Sequence, residues 1–268
     1  MSETAVLYEV RDHIATITLN RPQRMNSFSD ELLTGWANAI TAAAEDDDVR
    51  VVVVTGNGRA FCAGADLKAG DDGGRTLGSD VSTADRRNSL RFSVHRVPQA
   101  LEYLDKPYIA AVNGAAVGAG MDVASMADIR IASDLARFGM TYVKMGIIPG
   151  DGGAWLLQRI VGTTRALELI WSGDIFDAQT ALDMGYVSQL VPHDQLMDRA
   201  YAYAARLAAG PPIAIQTAKR LVLRNAHQTF PEGLEAAQAA MSLVQATEDA
   251  KEGPLAFREK RDPAFKGR

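Results

Sequence analysis

Two segments of the chain join an apolar run to a turn of small residues, and such turns could bind a negatively charged oxygen. One follows residues 51–54 and reads Thr-Gly-Asn-Gly-Arg-Ala-Phe-Cys-Ala-Gly-Ala-Asp, and the other follows residues 109–112 and reads Asn-Gly-Ala-Ala-Val-Gly-Ala-Gly-Met-Asp. Small side chains let backbone N–H groups approach a ligand, and a helix starting there would favour negative charge. Two turns converging on one carbonyl oxygen would form an oxyanion hole, worth about 3–4 kcal/mol per donor. Close packing of a helix on a strand also requires Gly and Ala, and the spacing alone favours that alternative.

Three common catalytic or ligand-binding sequence motifs are absent from the sequence. The chain contains neither a G-x-x-x-x-G-K-[ST] phosphate loop, nor a G-x-S-x-G turn, nor an H-E-x-x-H metal motif. The four histidines, His13, His95, His193 and His227, are far apart in sequence, so each is more typical of a surface or hydrogen-bonded side chain than of a metal ligand. His95 stands out among them because it follows a segment rich in Gly, Asp, Ser and Thr.

The composition excludes several classes of protein. A chain of 268 residues with 47% hydrophobic residues can bury a core of its own, so it is neither disordered nor disulfide-stapled. Cys62 is the one cysteine, which indicates a reducing compartment. The net charge of −5 argues against a broad nucleic-acid surface, and no stretch is long and apolar enough for a membrane span or a signal peptide. We therefore expect a cytoplasmic protein with neither a nucleic-acid nor a membrane partner.

The first part of the chain shows strands alternating with helices. Residues 5–10 and 13–19 flank Arg11-Asp12 and predict a hairpin. Ser29 is a favourable N-cap for a helix that the acidic run 45–48 ends. Continuous β-branched and apolar runs at 51–54, 108–112 and 129–132 predict strands buried on both faces. Strands joined through helices imply a mainly parallel sheet of the α/β class.

The last part of the chain reads as helical. Predicted helices cover residues 165–171, 178–184, 195–209, 213–226 and 233–250. Residues 70–88 form a Gly-, Asp- and Ser-rich segment that is either a loop near a functional site or a plain solvated insertion. We divide the chain into a mixed core, residues 1–194, and a helical region, residues 195–268.

Several ordered motifs resemble the crotonase (enoyl-CoA hydratase/isomerase) superfamily. They lie at residues 20–26, 61–67, 112–122, 127–132, 138–139, 146–150 and 159–162. The resemblance covers nearly the whole chain. It implies a crotonase-like spiral of β-β-α units, a helical C-terminal region that mediates trimers or dimers of trimers, and an acyl-CoA thioester as ligand.

The resemblance also implies roles for particular residues. The peptide N–H groups of Ala65 and Ala119 would bind the thioester oxygen, in agreement with the two turns described above. Coenzyme A would enter as part of the substrate, with neither a metal nor a redox cofactor. The residues implied to contact it are Arg24, Ala63, Asp66, Leu67, Phe257 and Lys260.

The catalytic positions depart from the pattern of the superfamily. Hydratases of this kind typically place two glutamates around a water, and this chain has Asp122 at the first position and Tyr142 at the second. Asp151 is the obvious replacement carboxylate, although a Gly-Asp-Gly-Gly turn is also common at a helix N-terminus. Asp122 could likewise be a carboxylate in the first turn of a helix. We take Asp122, Asp151 and Tyr142 as the candidate catalytic residues.

Four hypotheses for the function stay open. The first, which we expect because it is the commonest activity of the resemblance, is hydration of a 2-enoyl-CoA. Asp122 and Asp151 would share the acid and base roles, and Tyr142 would orient substrate or water. The second is isomerisation of a double bond by one carboxylate, which the tyrosine at position 142 favours because a tyrosine of ordinary pKa is a poor base. The third is hydrolysis or C–C cleavage, and the fourth is a non-catalytic protein that binds acyl-CoA or RNA.

Overall fold

The computed structural model describes residues 4–66, 82, 84, 88 and 90–268, and they form two β-sheets. The large sheet has the strand order β1-β2-β3-β5-β7-β10 and the small sheet has the order β4-β6-β8-β9. The strands are β1 (Val6–Arg11), β2 (Ile14–Leu19), β3 (Val51–Gly56), β4 (Ala60–Cys62), β5 (Tyr108–Val112), β6 (Ala115–Val117), β7 (Ile129–Ser133), β8 (Arg137–Gly139), β9 (Phe176–Asp177) and β10 (Gln189–Val191).

The chain passes back and forth between the two sheets as a spiral. β3 of the large sheet continues into β4 of the small sheet, β5 into β6, and β7 into β8. β3, β5 and β7 pair in parallel, as do β4, β6 and β8, because each return runs through a helical crossover. The predicted crotonase-like spiral and the mainly parallel sheet are confirmed, while β1 with β2 and β8 with β9 pair antiparallel.

Ten α-helices lie in the described part of the chain. They are α1 (Asp30–Glu45), α2 (Arg96–Glu102), α3 (Ala119–Ser125), α4 (Gly153–Val161), α5 (Thr163–Ser172), α6 (Ala178–Asp183), α7 (Leu196–Ala208), α8 (Pro212–Asn225), α9 (Phe230–Gln245) and α10 (Asp249–Glu259). Short 3₁₀ helices cover Pro22–Arg24, Thr141–Met145 and His193–Gln195, and a π-helix covers Leu90–Val94.

Local chemistry explains the amino-terminal elements. The β1–β2 turn lies at Asp12 and His13, whose φ angles of 50° and 64° suit a two-residue hairpin, so it falls one residue later than predicted. Ser29 caps α1 as predicted, since its side chain accepts a hydrogen bond from the N–H of Leu32 at 3.2 Å. Asp46 follows the last residue of α1, in agreement with the predicted stop at the acidic run.

The single helix predicted for residues 233–250 is wrong. The chain instead forms α9 and α10, with a break at residues 246–248. The Thr247 hydroxyl donates to the carbonyl of Val244 at 2.8 Å and accepts from the N–H of Ala250 at 3.1 Å, which ends one helix and starts the next. Apolar periodicity continues through this break, so it does not reveal the break.

The central strands of the large sheet, β3, β5 and β7, are buried on both faces, as their apolar runs predicted, whereas the edge strand β1 is largely exposed. Val52 and Val54 of β3 belong to the main core, which α1 covers. Val51 and Val53 point the other way and belong to a smaller core, which α7 covers. The alternation explains why the strand is apolar at every position.

Two sequence predictions stay untested by the fold. Residues 70–88 lie outside the described residues apart from Ser82, Ala84 and Asn88. The division at residue 195 falls just before α7, which packs on the large sheet, and it remains a prediction. Among the described residues, each helix is either too short or too polar to span a membrane.

Candidate active site

The site is built at one edge of the small sheet. β4, β6 and β8 are parallel neighbours, so their carboxyl ends lie side by side. Ala65 follows β4, Ala119 follows β6, and Tyr142 follows β8. The topology therefore brings together residues that are far apart in sequence.

The two small-residue turns touch each other, and glycine is required where they do. Gly64 has a φ of 78°, and a Cβ there would lie 2.9 Å from the backbone nitrogen of Ala119. A Cβ on Gly120 would lie 1.8 Å from the carbonyl oxygen of Cys62, closer than any side chain allows. The sequence offered close packing and an oxyanion hole as alternative reasons for these small residues. The two reasons are compatible, because close packing is what brings the two turns together.

The backbone N–H groups of Ala65 and Ala119 have no acceptor within the described part of the chain. Ala119 is the first residue of α3, where an N–H has no partner inside the helix. Ala65 pairs with Phe28 through an isolated β-bridge, in which the N–H of Phe28 donates to Gly64 at 2.7 Å. Both predicted oxyanion donors therefore come from adjacent turns, and their role stays a prediction.

The three predicted catalytic side chains are in mutual contact. The Tyr142 hydroxyl donates to Oδ2 of Asp122 at 2.7 Å and lies 3.3 Å from Oδ2 of Asp151. The backbone N–H of Asp151 also donates to Oδ2 of Asp122, at 3.3 Å. Asp122 stands one helical turn after Ala119 in α3, so the carboxyl pair lies close to an oxyanion donor.

Burial governs the charge of this cluster. Asp122 is fully buried and Asp151 is 5% exposed, and Oδ1 of each has no hydrogen-bond partner among the described residues. Burial raises the pKa of Asp122 to about 7, the hydrogen bond from Tyr142 opposes the rise, and the charge of Asp151 adds to it. Burial and the two carboxyls raise the pKa of Tyr142, so its hydroxyl keeps its proton. Burial raises the pKa of Asp151 as well. Raised carboxyl pKa values of this kind are typical of groups that act as general acids or bases.

The alternative of Asp151 as a helix cap is not realised. α4 begins at Gly153 after Gly152, whose φ is 99°, and no side chain caps it. The side chain of Asp151 instead faces Tyr142. A Cβ on Gly153 would lie 1.9 Å from Oδ1 of Asp122, so this glycine lets α4 close over the buried carboxyl.

The sequence reasoning missed the partner of Asp151. Nε2 of His95 lies 4.0 Å from Oδ1 of Asp151 and 3.0 Å from the carbonyl oxygen of Gly150. His95 was singled out for its position after residues 70–88, but nothing in its spacing connects it with Asp151. Only the packing of the π-helix and α2 beside residues 150–151 brings the two together.

The predicted coenzyme A contacts next to the first turn are partly engaged within the protein. The N–H of Ala63 donates to the carbonyl of Met25 at 3.0 Å. The Asp66 carboxylate is 8% exposed and lies 3.5 Å from Nη2 of Arg21. Arg24 is half-buried at the end of the first 3₁₀ helix, and Leu67 lies outside the described residues.

Phe257 and Lys260 lie at the end of α10. Phe257 is 86% exposed, and Lys260 follows the helix with a φ of 54°. No hydrogen bond or ion pair in the described residues joins either one to the two turns. Their contact with coenzyme A stays a prediction.

Comparison with known proteins agrees with the geometry. The alternating two-sheet spiral, with paired turns at the carboxyl ends of the small sheet, places the chain in the crotonase class of α/β proteins. No three His, Cys, Asp or Glu side chains among the described residues are grouped so as to hold a metal ion. The family model for enoyl-CoA hydratase/isomerase matches residues 9–268. The chain belongs to the enoyl-CoA hydratase/isomerase family and is an enzyme of that family.

Relatives of similar identity carry different names. The 2,3-dehydroadipyl-CoA hydratase of Escherichia coli (strain K12) is 37% identical over 268 residues, covering 100% of both chains. The 1,2-epoxyphenylacetyl-CoA isomerase of the same organism is 35% identical over 263 residues, covering 98% of both chains. The crystal structure of enoyl-CoA hydratase from Bacillus anthracis superimposes with a TM-score of 0.89 at 35% identity, covering 98% of this chain and 100% of that one. Overall similarity therefore does not select between hydration and isomerisation.

Proposed function

We propose that this enzyme moves the double bond of an enoyl-CoA thioester by proton transfer through a thioester enolate. The observation that carries the proposal is the Tyr142 hydroxyl, which lies 2.7 Å from Asp122 and 3.3 Å from Asp151. The hydroxyl fills the space between the carboxyls where an attacking water would be held. Its raised pKa makes it a hydrogen-bond donor and not a base for water.

The reaction needs only the groups described above. A carboxylate of the pair removes a proton from C2 of a 3-enoyl-CoA, and the charge moves to the thioester oxygen. The N–H groups of Ala65 and Ala119 stabilise that charge, each by about 3–4 kcal/mol. The carboxyl then returns the proton at C4, which gives the 2-enoyl-CoA with no atom gained or lost.

Hydration of a 2-enoyl-CoA is the second candidate, and a separate observation favours it. Asp122 and Asp151 are two buried carboxyls with raised pKa values, so together they can hold one proton and one charge. Such a pair supplies a base for the water and an acid for the α-carbon. Hydration was the first reaction proposed from the sequence, and it remains a prediction.

Mass spectrometry of products formed in ¹⁸O-labelled water separates these reactions. We expect a panel of 3-enoyl-CoA esters to give products of unchanged mass with a moved double bond. A labelled 3-hydroxyacyl-CoA would instead establish hydration and refute the proposal. Release of free coenzyme A or of a cleaved acid would support the hydrolytic alternative, and binding without turnover would support a non-catalytic protein.

The carboxyl pair is tested by Asp122→Asn and Asp151→Asn. We expect each substitution to lower kcat by about 10²- to 10⁴-fold, the usual contribution of a general acid or base. Asp134→Asn, at an exposed position outside the cluster, is the matched control and should retain the wild-type kcat. Full activity in both site variants would show that the pair does not carry the proton.

Further parts of the proposal concern the ligand and the assembly. Coenzyme A enters as part of the substrate, and the enzyme works in the cytoplasm as a trimer or a dimer of trimers. The proposed contacts with coenzyme A are Arg24, Ala63, Asp66, Leu67, Phe257 and Lys260. Their support is the resemblance in sequence and, for Ala63 and Asp66, their position beside the proposed oxyanion donor Ala65.

A further inference from the structure

We propose that His95 is a positioning residue that controls the charge and the orientation of Asp151. The inference rests on the proposed proton-transfer function, because it assigns the negative charge of the carboxyl pair to Asp151. His95 need not touch the substrate, since its ring lies against residues 150–151.

The hydrogen bond of His95 fixes its tautomer. Nε2 lies 3.0 Å from the carbonyl oxygen of Gly150, and a carbonyl only accepts hydrogen bonds. Nε2 therefore carries a proton and donates it to that carbonyl. The His95 side chain is 34% exposed whereas that of Asp151 is 6% exposed, so the ring reaches solvent while the carboxyl is shielded.

The backbone before His95 has an unusual conformation that serves this contact. The N–H of His95 donates to the carbonyl of Leu90 at 3.0 Å, which closes the π-helix Leu90–Val94 immediately before α2. Isolated π turns are rare and are often found at functional sites. The Leu90 side chain packs on the same segment, because a Cβ on Gly150 would lie 3.3 Å from it. The wide turn thus sets both Leu90 and His95 against residues 150–151.

Asp151 has an oxygen for which the rest of the cluster provides no partner. Its Oδ2 faces the Tyr142 hydroxyl, while its buried Oδ1 has no hydrogen bond among the described residues and lies 4.0 Å from Nε2 of His95. Burial raises the pKa of Asp151, and the positive charge of His95 opposes that rise. A charged ring therefore favours the anionic form of Asp151, which leaves the proton of the pair on Asp122.

Other charged groups near His95 have partners of their own. On the surrounding elements, Asp30 accepts from Ser93, Arg96 donates to Thr34, and the guanidinium of Arg91 lies 5.5 Å from the ring centre of Phe92. Besides each other and His95, the two carboxyls have the Tyr142 hydroxyl within hydrogen-bond distance. The buried Cys62 thiol near Asp151 and the buried Tyr186 hydroxyl near Asp122 are further titratable neighbours. Among the described carboxylates, Asp151 is the one within ion-pair distance of His95.

The direct test is an infrared titration of the buried carboxyls in the whole enzyme, which requires no turnover. We compare wild type with His95→Gln and identify the Asp151 band by its loss in Asp151→Asn. The expected result is that Asp151 titrates about one pH unit higher in His95→Gln, because an attractive charge at this distance has been removed. His193→Gln, which replaces a ring bonded to Ser133, is the matched control and should leave the titration unchanged. An unchanged titration in His95→Gln would overturn the proposal.

The kinetic test separates a positioning role from a merely structural one. Gln keeps a donor for the Gly150 carbonyl, whereas Phe keeps neither the donor nor the charge. If ionised Asp151 is required, kcat rises with pH as Asp151 loses its proton. This rise in the plot of kcat against pH should therefore move up by about one pH unit in His95→Gln, with KM nearly unchanged. His95→Phe should lose more of kcat than His95→Gln at every pH. Equal losses in both variants with a wild-type pH profile would overturn the proposal.

The two tests also separate this inference from the proposed function. If no enoyl-CoA ester is isomerised but the carboxyl titration shifts in His95→Gln, the proposed reaction is wrong and the coupling of His95 to Asp151 holds. If isomerisation is found and the titration does not shift, the reaction holds and the role of His95 is wrong.

Discussion

Asp122 shows how a single residue can be unfavourable for stability and still suit the proposed chemistry. Its carboxyl is fully buried, and burial raises its pKa to about 7, from an ordinary value of 3.8. A group whose pKa is higher in the folded state than in the unfolded state stabilises the fold only while it is protonated. As the pH rises through 7, the folded protein must accept a buried charge.

We therefore expect Asp122→Asn to be more stable than wild type at pH 8, while it loses activity. The wild-type free energy of unfolding should fall between about pH 4 and pH 7 and then level off, because the unfolded chain releases this proton first. Asparagine does not titrate, so the stability of the variant relative to wild type should grow by roughly 4 kcal/mol over that window, because each unit of pKa shift corresponds to about 1.36 kcal/mol. Urea unfolding at pH 4, 6 and 8 measures it.

The control for this prediction is Asp12→Asn. The Asp12 side chain is 84% exposed in the β1–β2 turn, so its removal should leave the pH dependence of stability as in wild type. A pH-independent difference between Asp122→Asn and wild type would contradict a raised pKa at Asp122.

At the scale of elements, the site depends on how closely α3 approaches β4. The approach is possible because Gly120 has no side chain, and a Cβ there would meet the carbonyl oxygen of Cys62 at 1.8 Å. The atoms on both sides of this contact belong to the backbone of β4 and α3, so one cannot move away without shifting the whole strand or helix. Gly120 therefore lets the start of α3, with the proposed donor Ala119, pack directly against the end of β4.

We expect Gly120→Ala to lower the free energy of unfolding by about 3 kcal/mol or more, because the added methyl group overpacks a rigid contact. It should also lower kcat, since it pushes the two proposed oxyanion donors apart. Thermal unfolding and steady-state kinetics measure the two effects.

Gly253→Ala in α10 is the matched control for this substitution. A Cβ there would lie 3.7 Å from the nearest atom, in the ring of Phe265, which is an ordinary contact. This variant should gain about 0.5–1 kcal/mol, because alanine is the better helix former. Wild-type stability in Gly120→Ala would show that the spacing of α3 and β4 is not fixed.

At the scale of the whole molecule, the carboxyl-terminal helices expose apolar side chains. These include Val222, Leu223, Phe230, Leu234, Met241, Leu243 and Phe257, each more than half exposed. Large apolar side chains exposed in this number on one part of a chain are typical of protein–protein contacts. It supports the trimer or dimer of trimers expected from the sequence, which remains a prediction.

We expect light scattering to give a mass three or six times that of one 28.8 kDa chain. Leu234 and Met241 are seven residues apart on α9 and so lie on one face, and both are 56% exposed. Replacing both by Glu should shift the protein toward lower mass. Ala239→Glu with Ser242→Glu adds two charges to another exposed part of the same helix and should leave the mass unchanged. A wild-type protein that stays monomeric at all concentrations would contradict the expectation.

The sequence predicted much of the fold because many helices and strands depend on interactions between residues that are close in the chain. The Ser29 cap and the β-branched runs of the large sheet act over a few residues, so spacing shows them directly. The break between α9 and α10 was missed because the hydrogen bonds of Thr247 compete with helix propagation without changing the apolar pattern.

The sequence by itself determined the family, the two small-residue turns and the residue types that replace the usual glutamates. The tertiary structure alone decided which groups meet: Tyr142 with both carboxyls, and His95 with Asp151 across 56 positions of sequence. The physical reason is that propensities and turns act over a few residues, whereas the carboxyl ends of parallel strands gather distant residues at one edge of a sheet. The pKa values of the pair arise from burial and from neighbouring charges, which exist only once that edge has formed.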